Sequence, residues 1–487
     1  MLQTLNLVAY ALFVLAMGYY FITNLQWYSY RLSRAIFHHT KTWWHFVYFL
    51  IPYALYEVVS NTTPYGFVVV ILYLGMLYHW YKGLDKPLVF TGRIKRFFAA
   101  LALIALFMAV VFQSYVVLIP LFGAYFVSMF IEKILFEGFK RKAEQKIEAA
   151  KKLKVIGVTA SYGKTSIKNI ITHLLGAKYK TYATPRSVNT LGGVMKDINE
   201  ALPEDTEVYV VEMGARGEGD IAEIAEFVNP HIAVVGKIGP AHIEYFKTLE
   251  NIRNTKMEIL KSERLEKAYV HESAMVQPDS EGKVETYGKG EQLDLRSALP
   301  APTHRISSIE ATLEKTCFIL DGVRYCANLL GAFNAENLAA AILVAKKMGL
   351  DDATIQAQLA TLEPTPHRLQ RIDAGGKVIL DDSFNGNIDG MMASFNLAST
   401  YEGRKVIITP GLVEVDDALN AQVAKRANEV FDLVIVSGDL NYEIFKQHVD
   451  ADKLVKLASK GEMEQMLADK TLPGDLILFA NDAPSFV

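Results

Sequence analysis

Hydrophobic positions change rhythm once along this chain. Up to about residue 132 they form near-continuous runs, at roughly 5–23, 43–59, 64–81, 97–112 and 115–132. Each run is long enough, or nearly so, to cross a hydrocarbon core of about 30 Å. The pattern predicts an α-helical membrane domain of five spans over 1–132. Residues 133–152, KILFEGFKRKAEQKIEAAKK, read as a basic linker helix leaving that domain. From Leu153 the period shortens to strands alternating with amphipathic helices, which predicts an α/β fold. Strands are expected at Val155–Val158, Lys180–Ala183, Glu207–Met213 and Ile232–Val235. A second series follows TPHRLQRI, at Lys377–Leu380, Lys405–Thr409, Leu433–Val436 and Asp475–Phe479. The expected layout is a central P-loop domain with a mostly parallel sheet over 153–364. A smaller, Rossmann-like doubly wound domain follows over 365–487.

Charge sharpens the division. Residues 1–152 hold 15 Lys and Arg against 6 Asp and Glu, so this third is +9 and the remainder −12 of a total −3. The basic residues fall after the first run (Arg31, Arg34, Lys41), after the third (Lys82, Lys86, Arg93, Lys95, Arg96) and after the fifth (Lys133, Lys140, Arg141, Lys142, Lys146). The other two connections, at Asn61-Thr62-Thr63 and Gln113-Ser114, have none. By the positive-inside rule the N-terminus is outside and everything after the fifth span is cytoplasmic. The first run lacks the basic lead and small-residue cleavage site of a signal peptide. Glu57 is the main acid near a span, and its place near the outer end predicts ordinary solvation at the interface. The acidic balance of the second part argues against a nucleic-acid partner. Cys317 and Cys326 flank an expected hairpin turn at Asp321-Gly322. With no disulfide framework or metal-ligand spacing, they read as small buried hydrophobes, consistent with a reducing cytoplasm.

The chemistry concentrates at VIGVTASYGKTS, Val155 to Ser166. A strand, a short loop between Gly157 and Gly163, and a helix opening at Lys164-Thr165-Ser166 make an anion site, because free amides and the helix dipole converge there. Lys164 supplies a point charge for phosphates and Thr165 a hydroxyl for Mg²⁺. The pattern is a variant P-loop, since Val158 stands where the first glycine of the usual motif would be. Further on, EVYVVEM ends a buried strand at Glu212, where an α/β nucleotide site places a Mg²⁺ ligand. His242 is expected in the loop of GKIGPAHIEYF, and Lys256 on a helix in NTKMEIL.

The order GVTASYGKT, TPRSVNT, VEMGA, IGPAHIEYF and NTKMEI resembles the Mur ligase family, ATP-dependent amide ligases of peptidoglycan precursor synthesis. The resemblance covers about residues 153–487. TPRSVNT and DDSFNGN are most similar to the branch that adds D-alanyl-D-alanine to UDP-N-acetylmuramoyl-tripeptide. The resemblance implies that ATP and Mg²⁺ are required. It places Gly157, Ser161, Gly163, Lys164, Thr165, Ser166, Asn334, Arg368 and Asp382 at the nucleotide. It places Thr165, Glu212, His242 and a carbamylated Lys256 at metal, with Lys164, Lys256 and His242 serving catalysis. Asn189, Thr190, Asn385 and Asn387 would lie near the muramyl-peptide and amine substrates. This chain departs from the family at Ala160, where glycine is usual, at Phe333, which replaces a histidine, and at its C-terminus, which lacks the usual Lys-Gly-Ser.

The implied reaction is carboxylate phosphorylation by ATP followed by amine attack on an acyl phosphate. Soluble members begin with a domain that grips the UDP moiety, whereas here the apolar runs stand in its place. The expected location is the bacterial inner membrane, beside other membrane-bound cell-wall enzymes. Two other readings stay open: a ligase acting on a different amine or lipid-linked substrate, and a membrane-anchored nucleotide-binding scaffold without ligase activity.

Overall fold

The structure is a computed structural model. It describes residues 2–28, 30, 32–37, 41–84, 86–241, 243–279, 281–290, 301–384, 388–412, 417–457 and 460–481. The chain divides into two compact units, Met1–Arg141 and Lys142–Val487.

The first unit is helical. Its elements are α1 (Leu2–Trp27), α2 (Leu32–Phe37), α3 (Trp43–His45), a π-helical turn at Phe46–Leu50, α4 (Ile51–Thr62), α5 (Gly66–Lys82), α6 (Gly92–Val111) and the start of α7 (Leu118–Ala149). Among the described residues three helices, not five, are long and apolar enough to cross a membrane: Thr4–Trp27, Gly92–Val111 and Leu118–Ala149. The expected second span is divided among α3, the π turn and α4. The expected third is α5, which begins only at Gly66 and has 17 residues. At 1.5 Å per residue it reaches about 26 Å, short of the hydrocarbon core. An apolar run records composition but not helix type or length: residues 43–62 stay helical but are divided by the π segment, and α5 is short, which is why the count of five fails. The linker expected at 133–152 is not a separate helix, because α7 runs unbroken from the fifth apolar run to Ala149.

The second unit contains two sheets. Strands β1 (Lys154–Thr159), β2 (Thr181–Ala183), β3 (Val208–Glu212), β4 (Ile232–Val235), β5 (Lys267–His271), β6 (Val284–Gly288), β7 (His304–Ala311), β8 (Thr316–Leu320) and β9 (Val323–Ala327) form a sheet in the order β2-β3-β1-β4-β5-β6-β7-β8-β9. The first seven in that order pair in parallel, and β7-β8-β9 are antiparallel. Helices α8 (Lys164–Leu175), α9 (Leu191–Glu200), α10 (Asp220–Val228), α11 (Ile243–Phe246), α12 (Leu249–Met257) and α13 (Asn334–Lys347) accompany it.

Side-chain alternation explains the layers. Ile156, Val208, Val210, Ile232 and Val234 face a core shared with α8 and α13. Their neighbours Val155, Tyr209, Val211, Ala233 and Val235 face the opposite core, with α9 and α10. Strands covered on both faces read as continuous apolar runs. The second sheet comprises β10 (Gln370–Ala374), β11 (Lys377–Asp382), β12 (Lys405–Thr409), β13 (Leu433–Ser437), β14 (Leu454–Leu457) and β15 (Leu476–Ala480), in the order β10-β11-β15-β12-β13-β14. All its pairs are parallel except β10 with β11.

The hairpin at Asp321-Gly322 forms, with φ of 50° and 84° at its two central residues. Its cysteines are not separate buried hydrophobes. Cys317 and Cys326 stand opposite each other in the β8–β9 register and are joined in a disulfide. Pairing across the turn brings their Cα atoms to 4.1 Å, a proximity that spacing along the chain does not reveal.

Candidate active site

The central strand β1 has β3 on one side and β4 on the other, so the loop after it opens where the strand order reverses. Ligands of open α/β sheets bind in that crevice, beyond the carboxyl ends of the strands. The loop is held by backbone bonds: the Ser161 and Tyr162 amides donate to Lys237 O, at 3.0 and 3.4 Å. Ser161 Oγ donates to Gly239 O at 3.0 Å. Gly163 has φ 78°, and a Cβ there would collide with Asn337 Oδ1. The residue must therefore be glycine, both for its left-handed backbone and for the close approach of α13. Within β1, a Cβ on Gly157 would lie 2.8 Å from Met213 Cε. Ser166 is in the first turn of α8 and half-buried.

Glu212 is the hub. It is buried, and its Oε2 accepts from Thr165 Oγ1 at 2.9 Å while its Oε1 accepts from Asn189 Nδ2 at 3.0 Å. The phosphate-loop helix, the TPRSVNT loop and the VVEM strand thus converge on one carboxylate. Oxygens in adjacent positions on an octahedral Mg²⁺, bound at about 2.1 Å, lie about 3 Å apart. The Thr165–Glu212 spacing fits that requirement, and the donors are hard oxygens. Thr190 caps α9, its side chain accepting from Gly193 N at 3.3 Å.

Lys168 was not marked by the sequence reading. One turn beyond Lys164, it is 1% exposed and lies 3.4 Å from Glu212 Oε2. It also donates to Thr184 O and Arg186 O, at 2.7 and 2.6 Å. A lysine at the helical spacing i+4 from Lys164, within an apolar-periodic stretch, was the available signal. Desolvation lowers the Lys168 pKa, Glu212 opposes the shift, and Arg368 reinforces it. Lys164 Nζ donates to Ala160 O and Ser161 O, at 2.9 and 3.2 Å. Its pKa is also lowered by desolvation, against Glu212 and with Arg368. Arg368 is therefore electrostatically coupled to both lysines of α8.

Lys256 is 4% exposed on α12. Burial pushes its ammonium down to about 7; Lys164 adds to the shift, and Asp220 and Glu258 oppose it. Glu258 is fixed in turn by accepting from the amides of Gly219 and Ala222. Asn334 is buried and internally bonded, donating to Leu330 O at 2.7 Å and accepting from Asn337 Nδ2 at 3.0 Å. Of these two asparagines, Asn337 is the one against Gly163. Asp382 is buried at the end of β11. His242, Asn385 and Asn387 lie outside the described residues.

A charged cluster beyond β4, β5 and β6 was also missed. Glu336, beside Asn337 on α13, lies 3.2 Å from Lys289, 3.6 Å from His271 and 3.9 Å from Lys237. Burial alone would raise the Glu336 carboxyl, but His271, Lys237 and Lys289 hold it down at about 2. Its members come from four separate segments, so no local motif announces it.

Against this geometry, known proteins give a consistent picture. Residues 158–345 match the Mur ligase middle domain. Those residues form a Mur ligase middle domain. The UDP-N-acetylmuramoyl-tripeptide–D-alanyl-D-alanine ligase of Bacillus subtilis is 28% identical to this chain over 341 residues, 67% of this chain and 72% of its own. The corresponding ligase of Synechocystis is 28% identical over 67% of this chain and 71% of its own. The fold of this chain resembles MurF of Thermotoga maritima in complex with ADP, with TM-score 0.59 and 24% identity over 72% of this chain and 81% of that one.

Proposed function

We infer that this protein is an ATP-dependent, ADP-forming ligase of peptidoglycan precursor synthesis, which adds D-alanyl-D-alanine to UDP-N-acetylmuramoyl-tripeptide. The observation that carries the reading is the convergence of Thr165 and Asn189 on buried Glu212 beside the Lys164 loop. In the first step the terminal carboxylate of the tripeptide attacks the γ-phosphorus of ATP. An acyl phosphate forms and ADP leaves. In the second, the neutral amine of the dipeptide attacks the acyl carbon. The amide bond forms, phosphate leaves, and the proton of the amine is lost.

Phosphoryl transfer needs positioning and charge neutralisation more than a nucleophilic side chain. The loop amides ahead of α8 and Lys164 hold the phosphates, with Gly157, Ser161, Gly163 and Ser166 shaping the loop. Thr165 and Glu212 hold Mg²⁺, which would neutralise charge on the phosphoryl oxygens. Lys256, partly neutral near pH 7, can add CO₂ to give a carbamate and release a proton. Asn189 and Thr190 face the muramyl-peptide, and Asn334, Arg368 and Asp382 serve the nucleotide. His242, Asn385 and Asn387 enter the proposal on resemblance alone. The proposed division is a membrane part over 1–132, a linker over 133–152, an ATP-binding part over 153–364 and an amine-binding part over 365–487.

We further propose that the apolar helices place the ligase at the inner face of the bacterial cytoplasmic membrane, with the N-terminus outside. The three helices long and apolar enough to span, and the basic connections, support this. The test is ADP release from ATP with UDP-muramyl-tripeptide, comparing D-alanyl-D-alanine with single amino acids. The proposal expects turnover with the dipeptide. Turnover with a single amino acid alone would reassign the amine, and none with any amine would remove the ligase reading.

A further inference from the structure

The ligase reading leaves one cavity unused. It lies within the helical unit, has a volume of about 390 Å³, and is lined by the start of α1, the end of α4, the start of α5 and the link between α6 and α7. That volume is within the range of small-ligand sites and many times the share of one water molecule. Two acceptors in its wall, Asn6 Oδ1 and Glu57 Oε1, are buried without a hydrogen bond. The other carboxylate oxygen, Glu57 Oε2, has only Asn61 Nδ2, at 3.5 Å. Glu57 is half-buried: the oxygen bonded to Asn61 is in an exposed contact, as expected near an interface, and the other is enclosed and unpaired.

None of the described residues that line the cavity is a cation. Residues 1–30, 42–81 and 97–132 contain no Lys or Arg. The basic connections lie at the other end of the unit, where Gln26 bonds both ways with the backbone of Val89. About 30 Å of α1 separates Asn6 from Gln26 at 1.5 Å per residue. The cavity is also walled by Tyr56, Phe67 and Tyr115. An enclosed carboxylate oxygen without a donor is costly. Surplus acceptors call for N–H or O–H donors, and aromatic faces attract cations. An anionic ligand would face Glu57 with no compensating cation.

We propose that this cavity is a binding site for a primary ammonium group, with Glu57 as its counter-ion and Asn6 Oδ1 as a second acceptor. The ammonium could belong to an ethanolamine lipid headgroup or to a free amine. The site lies at the end of the helices away from the basic connections. Nothing in it depends on the ligation chemistry.

The test uses the full chain in nanodiscs, with thermal unfolding and direct titration as readouts. Ethanolamine added to the protein in phosphatidylcholine discs should bind and raise the unfolding temperature. Choline, whose nitrogen carries no N–H, should bind at least roughly tenfold more weakly, as expected for loss of a charge-assisted hydrogen bond. Glu57→Gln should weaken ethanolamine by a similar factor while ADP release stays at the wild-type rate. Replacing phosphatidylcholine by phosphatidylethanolamine distinguishes the sources: stabilisation that abolishes ethanolamine binding identifies the lipid, and unchanged ethanolamine binding identifies a free amine. Equal affinity of wild-type protein for ethanolamine and choline, or no binding of ethanolamine in either disc, overturns the proposal. That comparison needs only wild-type protein, so it holds even if Glu57→Gln fails to fold.

Discussion

The crevice at Glu212 and the cavity at Glu57 each enclose a carboxylate, and they treat it oppositely. Glu212 accepts from a threonine and an asparagine and faces a buried lysine. Glu57 leaves one oxygen without any partner. A satisfied buried network is rigid and presents a fixed arrangement to a ligand. An unsatisfied one carries a cost that a ligand can remove. As proposed, the first site positions reactants for catalysis, and the second is completed by its occupant.

Lys164→Ala tests the first half of this contrast most severely. Removing the phosphate-facing charge should lower ADP-forming ligation by on the order of a thousandfold, with circular dichroism unchanged. Persistence of ligation would move the phosphate site elsewhere. Lys256→Arg comes next. It keeps a cation but cannot form the carbamate, and should lower turnover by about a hundredfold. Wild-type protein should show a labile mass increase in bicarbonate that the variant lacks.

Smaller effects concern stability. Glu336, held at about 2 against an ordinary value of 4.5, contributes stability that is fully present above the ordinary value and lost as pH falls towards 2. Glu336→Gln should cost on the order of 2 kcal/mol at pH 7 and progressively less in acid, read by denaturant unfolding. Lys256 has the opposite sign. Its folded-state pKa, about 7, lies below the ordinary 10.5, so the unfolded chain holds the proton more tightly between these values. Wild-type stability should therefore rise with pH across that window. Lys256→Met should be the more stable protein near pH 7 by an amount that shrinks towards pH 10, measured without bicarbonate.

The same contrast shows what a sequence exposes. The Lys164 loop and the VVEM strand were legible because each is a local strand-to-loop transition with its chemistry in one short stretch. Lys168 was half legible, through helical spacing alone. Glu336 with His271, Lys237 and Lys289 was not, because strand order brings four separate segments together. Cys317 and Cys326 could be placed on a hairpin, but the register that joins them belongs to the folded sheet. Counting spans failed where apolar composition continued through a π-helical segment, at Phe46–Leu50, which leaves α4 with 12 residues, and where α5 has only 17. Glu57 was noticed, yet the cavity beside it is assembled from segments far apart in sequence, from Asn6 to Val116.

The central claim is that Thr165 and Glu212 together hold the magnesium of a nucleotide lying on the amides ahead of α8. Equilibrium titration of ATP, with and without Mg²⁺, on wild-type protein and Glu212→Gln tests it directly. Mg²⁺ should tighten ATP binding by wild-type protein and leave the variant nearly unchanged. An equal gain from Mg²⁺ in both proteins would contradict the account.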